Sequence, residues 1–209
     1  MNERSFIFAL GSANHEDQNP MSNNKRLKIL QATEKLLAEE GFHGISMQKV
    51  AHSAGVAAGT IYRYFSDKDD LLIEVRKMVS QRIADVVQAN VDDEMPLKQR
   101  FRVMWLNIWH LARTEGRTLC NQLQYESLPT PAYMNIRELE REMFAKVDQM
   151  FTEGKQSGVL KPLDNPILSG LSLEVGVTLA RKHALGIFQL DDDALEAAIE
   201  ASWDAIVQH

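Results

Sequence analysis

A single cysteine, Cys120, leaves this chain unable to close an internal disulfide or build a cysteine-rich zinc module, and it fits a reducing cytoplasm. No apolar run approaches the ~18 residues that a membrane span requires. The histidines show no metal-binding spacing such as H-E-x-x-H. No segment alternates apolar and polar residues as a half-buried strand would. Nor is there a basic excess: the formal net charge is −6, which argues against a polyanion-binding surface spread over the whole molecule. What is present is 44% hydrophobic and 25% charged residues, the proportions of a folded globular chain, so wholesale disorder and fibrous rods are excluded.

The average charge hides a gradient. Residues 22–90 hold ten Lys or Arg against eight Asp or Glu, whereas residues 91–209 hold twelve against eighteen. Binding to a polyanion needs local positive charge, not a positive total, so the N-terminal third remains eligible. Ahead of it, residues 1–21 lack helical period and include Gly11, Asn14, Asn19 and Pro20, which predicts a mobile tail. Phe6 to Leu10 is too short for the apolar core of an export signal, and Glu16 and Asp17 follow. Met21 is a second candidate start.

From Asn24 onward the period is helical. Ile29, Ala32, Thr33, Leu36 and Leu37 form one stripe. Ser46 caps a short helix that Gly55 ends, and a third helix spans about residues 57–65. Ser66 is expected to cap a long helix, with Asp69 at N3, that ends near Asn90. Helices follow from Pro96 to Gly116, on to about Ser127, from Asn135 to Gly154, from Ile167 to Phe188, and after Asp191. The expectation is an all-α fold of about nine helices without internal repeat. Its parts are the tail 1–21, an N-terminal three-helix domain over 22–67, and a C-terminal helical domain over 68–209.

Residues 46–65 read as helix, glycine turn, helix, the pattern of a helix-turn-helix. In such a unit the second helix places its first residues in the major groove. Ala57, Ala58 and Gly59 are small enough for close approach, and alanine methyls suit thymine methyls. Thr60 and Tyr62 offer hydroxyls, Lys49 and Lys68 offer charge to phosphates, and Arg63 reaches phosphate or base. Val50, Ala51, Val56, Ile61 and Phe65 are the expected small core. An ordinary helical hairpin inside a bundle is the competing reading of the spacing alone.

Ile29-Leu30-x-Ala32, Gly41-Phe42 and Ala51-x-x-Ala54-Gly55-Val56-x-x-Gly59-Thr60-Ile61-Tyr62-x-Tyr64-Phe65-x-x-Lys68-x-x-Leu71 resemble the N-terminal domain of TetR/AcrR-type transcriptional regulators. The resemblance covers roughly residues 24–75. It implies a helix-turn-helix domain followed by a helical ligand-binding and dimerisation domain. It also implies phosphate contacts from Thr60, Tyr62 and Lys68, and base-proximal positions for Gln48, Ala57, Ala58, Gly59 and Arg63. With Ser46 and Lys49, these are the candidate DNA-binding residues. Ala57 departs from the family, which often has Ser or Thr there; losing such a cap costs a helix ~0.5–2 kcal/mol.

In the larger domain, Met104, Trp105, Trp109, Tyr125, Tyr133 and Phe144 are candidate walls of an aromatic pocket, with His110 and Gln124 orienting a small apolar or aromatic effector. The same stripe also reads as plain core. Residues 167–207 are the candidate homodimer surface, as the resemblance implies. No cofactor, metal or catalytic group is expected, and an enzyme built on His110 and Cys120 lacks a helper residue. The partners expected are a double-stranded DNA operator, a small-molecule effector and a second copy of the chain, with no membrane. The function expected is a repressor released from a palindromic operator by its effector. A helical sensing or interaction protein that no longer reads DNA is the alternative.

Overall fold

A computed structural model describes residues 20–114 and 136–209. The expected tail up to residue 19, the helix reaching Ser127, and Cys120 lie outside the described residues. α1 (Pro20–Glu40), a 3-10 turn (Phe42–Gly44), α2 (Met47–Ala54), α3 (Ala58–Ile61) and α4 (Lys68–Val87) come first. α5 (Leu97–Thr114), α6 (Ile136–Met143), α7 (Ala145–Gln156), α8 (Asn165–Leu171), α9 (Leu173–Ala184) and α10 (Asp192–Asp204) follow. Among the described residues the β pairing is limited to one bridge, Leu160 to Val207. The fold is all-α.

The first four helices enclose a core of Ile29, Leu37, Ile45, Val50, Ile61, Phe65 and Leu71, each at most 5% exposed. This is the small core expected from the sequence, except that Val56 packs at its edge, partly buried. The second half centres on α5. Phe101, Met104, Trp105, Ile108 and Trp109 face inward toward α9, α10 and α7. Both halves meet along α4, whose Leu71 to Val87 face is buried almost continuously.

Several expected boundaries move. Asp67, not Ser66, caps α4: its side chain accepts from the Asp70 amide at 2.8 Å, and Asp70 in turn accepts from the Ser66 amide at 2.8 Å. The cap is shifted by one residue, and the Asp70 carboxylate reaches back to the amide before the cap rather than to the cap's own. The helix expected from Asn135 to Gly154 breaks at Phe144 (φ −94°, ψ 34°). The one expected from Ile167 to Phe188 breaks at Ser172, whose hydroxyl donates to the Leu168 carbonyl at 2.6 Å. A serine bonding back one turn competes with the backbone ladder and bends the helix there. α4 itself ends at Val87, and Asn90 takes φ 60° in the following turn.

Candidate nucleic-acid interface

α2 begins where Ser46 adopts extended backbone and its hydroxyl accepts from the Lys49 amide at 3.3 Å. It ends where Gly55 takes the left-handed conformation, φ 66°, open to glycine without strain. The Val56 amide then donates to the Ala51 carbonyl at 3.0 Å, which fixes the turn. α3 is a single helical turn, shorter than the sequence suggests. Beyond it, the Tyr64 and Phe65 amides both bond back to the Ile61 carbonyl. Ile61 and Phe65 point into the core and anchor the turn from beneath.

The opposite face carries the residues expected to meet DNA. Ser46, Gln48, Lys49, Ala57, Ala58, Gly59, Tyr62 and Arg63 are all exposed, and Thr60 is half-buried. Tyr62 is 58% exposed although it is a large aromatic. Gly59 is instructive. Its φ is not in the positive range, and a Cβ there would meet nothing within 4 Å. Glycine in a helix is disfavoured by about 1 kcal/mol relative to alanine. Nothing inside the chain calls for it. Ala57 caps α3 with no side-chain hydrogen bond, as its chemistry dictates.

The three cations differ. Arg63 is exposed. Lys68 is half-buried: its Nζ donates to the Phe42 carbonyl at 3.2 Å and lies 4.5 Å from the Phe42 ring centre. That contact ties the start of α4 to the turn after α1. Lys49 pairs with the Glu40 carboxylate.

The candidate effector residues separate into groups. Met104, Trp105 and Trp109 come together as packed core. The two indoles stack at 6.1 Å, Trp109 lies 4.8 Å from the His183 ring, and Gly176 sits directly against Trp105. A Cβ at Gly176 would stand 3.0 Å from two atoms of that indole. His110, one residue past Trp109 and so about 100° around α5 from it, is exposed. Phe144 is half-buried at the α6–α7 break. Gln124, Tyr125 and Tyr133 lie outside the described residues. Trp105 Nε1 is buried without a hydrogen-bond partner. An open cleft of ~680 Å³ lies elsewhere, between Asn23–Leu30 of α1, Glu74–Gln81 of α4 and Met143 of α6. The periodic pattern did not reveal it, because a cleft is a relation between helices and leaves no mark on any one of them.

α4 is held by polar contacts on both sides. Toward α1, Arg26 pairs with Glu74 and Arg82 grips Glu34 with two bonds. Toward α6, buried Arg76 meets Glu140 at 2.9 Å. Gln88 bridges the α6–α7 break, donating to the Met143 carbonyl and accepting from the Lys146 amide, each at 2.8 Å. Burial pushes the Glu74 carboxyl upward, but hydrogen bonds and charge from Lys77 and Arg26 outweigh it and hold the group below its ordinary value. Among the described residues no group of three or more His, Cys, Asp or Glu is placed to hold a metal ion, and no helix is long and apolar enough to cross a membrane.

Comparison with known proteins agrees with this geometry. Residues 29–75 match the family described as bacterial regulatory proteins, tetR family, and residues 96–207 match the tetracyclin repressor-like C-terminal domain. A TetR-family transcriptional regulator from Vibrio parahaemolyticus has a solved structure 61% identical to this chain, with a TM-score of 0.78. The match covers 88% of this chain and all of that one. An HTH-type transcriptional regulator of Haemophilus influenzae is 36% identical over 181 residues, 86% of this chain and 94% of the relative. The fatty acid metabolism regulator protein of Bacillus subtilis is 29% identical over 138 residues, 66% of this chain and 71% of the relative. With its exposed recognition turn, its buried α4 and both domains matched, the chain belongs to the TetR family of helix-turn-helix transcriptional regulators, which are DNA-binding proteins and not enzymes.

Proposed function

We propose that this regulator is a cytoplasmic repressor, released from a palindromic operator by a small apolar or aromatic effector. The observation that carries the DNA side is the exposed α3 face, above all Gly59, which is unexplained by any neighbour in the chain. Residues 22–67 act as the reader and 68–209 as the effector and dimer domain. Ser46, Lys49, Thr60, Tyr62 and Lys68 supply backbone contacts, and Gln48, Ala57, Ala58, Gly59 and Arg63 face the bases.

A homodimer through residues 167–207 sets the spacing of the two readers. Ile167, Leu171 and Val175 recur every fourth residue and are 37–48% exposed, and Leu185 and Ile187, just past the end of α9, are exposed apolar residues as well. Two recognition helices must stand about 34–36 Å apart, or a multiple, to enter successive major grooves on one face of the duplex. α4 is a lever of about 30 Å, from 20 residues at ~1.5 Å each. Motion of α6 or α7 reaches it through Arg76 and Gln88. The Bacillus subtilis relative's name makes an acyl-chain compound the first effector to try.

The test is a salt-dependent mobility shift on the DNA upstream of the coding region. Affinity should fall with salt at a log–log slope of about −0.9 per phosphate neutralised, and drop on adding effector. A chain that retards no duplex at low salt is a helical interaction protein instead.

A further inference from the structure

Lys49 stands in the first turn of α2, beside the Ser46 cap, where a duplex backbone would run. Yet its Nζ lies 2.5 Å from Glu40 Oε2, at the end of α1. The two belong to different helices, separated by a turn with an unusual build. Gly41 reverses the chain at φ 71°, and Gly44 follows in the 3-10 turn. Gly44 leaves space that Glu40 fills: a Cβ on it would stand 2.6 Å from Glu40 Cβ and 2.9 Å from Glu40 Oε2. A glycine is therefore what allows the carboxylate to lie across the turn and reach the lysine. The pair is exposed, with side chains 52% and 38% accessible, so an incoming phosphate has access to both.

We infer that Glu40 is an affinity-limiting residue, an internal carboxylate that occupies Lys49 and must be displaced before that lysine can neutralise a DNA phosphate. The inference rests on the reading of α2 and α3 as the duplex-binding face. The free protein holds a substitute anion on one of its few interface cations, and this lowers affinity for every duplex by a similar factor. An exposed ion pair is weak, so the handicap is modest. Displacing it corresponds to about two- to five-fold in affinity. In the parent complex Glu40 keeps the Lys49–phosphate contact only partly formed; loss of the competitor lets it form fully, which steepens the salt slope by up to about 0.9.

The test uses the full-length chain and a fluorescently labelled random-sequence duplex, with anisotropy followed across a salt series. Glu40→Gln should bind about two- to five-fold more tightly at low salt and with a steeper slope. Lys49→Gln should weaken binding, and should remove the benefit of Glu40→Gln when the two are combined. Gly44→Ala, which pushes Glu40 aside without altering charge, should tighten binding in the same direction, with thermal unfolding confirming that the variant is folded. Binding by Glu40→Gln equal to the parent overturns the inference. So does an equal gain in the Lys49→Gln background, because Glu40 would then act only as a repelling charge. A parent chain that binds no duplex at low salt overturns the DNA reading itself, and this inference with it.

Discussion

The two halves of the molecule use small residues in opposite ways. In the C-terminal half, Gly176 is glycine because Trp105 presses on it from within; the reason is internal and the contact is buried. In the reader, Gly59 borders open space, and no atom of the chain comes near the place its side chain would fill. Aromatics divide likewise. Trp105 is fully buried, whereas Tyr62 is 58% exposed. A residue whose type the surrounding fold explains belongs to stability. One that the fold leaves unexplained, on an exposed face, is a position at which to test for a partner. That contrast separates core from interface more sharply than composition does.

Substitutions can break the contrast, beginning with the largest effect. Trp105→Ala removes a fully buried indole and should destabilise the chain by about 3–5 kcal/mol, read from denaturant unfolding. A loss under ~1 kcal/mol would mean the site lines a cavity rather than a packed core. Gly176→Ala forces a methyl against that indole and should lower stability by about 1–3 kcal/mol in the same assay.

Reader substitutions should behave in the opposite manner. Tyr62→Ala should leave stability within about 0.5 kcal/mol while weakening binding to all duplexes alike, as loss of a phosphate contact does. Gly59→Ala sharpens the comparison most. It should raise stability by up to about 1 kcal/mol, since alanine is the better helix former and its methyl meets nothing. The same variant should lose duplex affinity. Equal or better DNA binding by Gly59→Ala would show that no partner approaches there.

The smallest expected effect concerns acid. Glu74 has a carboxyl lowered in the folded state, so the folded chain binds fewer protons than the unfolded one in the acid range. The resulting stabilisation is complete above the ordinary carboxylate value and disappears as pH falls through the lowered one. Glu74→Gln should therefore flatten the acid side of a thermal-midpoint against pH curve, and leave the neutral side lower than in the parent by a pH-independent amount.

Much of the reader was legible in the sequence because its signals are local. Ser46 as cap, Gly55 as left-handed stop, and the inward set of Val50, Ala51, Ile61 and Phe65 all follow from spacing within a few residues. The α4 cap was misplaced by one, since Ser66 and Asp67 are both competent caps and only the loop geometry chooses between them. In the C-terminal half the helices were legible but their breaks were not. Phe144 and Ser172 interrupt runs whose apolar period continues across them. His110 was grouped with the tryptophans by proximity along the chain; it is exposed where they are buried, a difference that spacing alone does not carry.

Periodicity, caps and the stretch from Ala51 to Leu71 were enough to specify an all-helical regulator with a helix-turn-helix at one end, because those features depend on neighbours in the chain. Which glycine serves the core and which the surface, which lysine is already occupied by a carboxylate, and where α4 is tied to α6 depend on residues distant in sequence, as Arg76 and Glu140 are, 64 positions apart. Only packing in three dimensions brings such groups within bonding distance, so only the tertiary structure decided them.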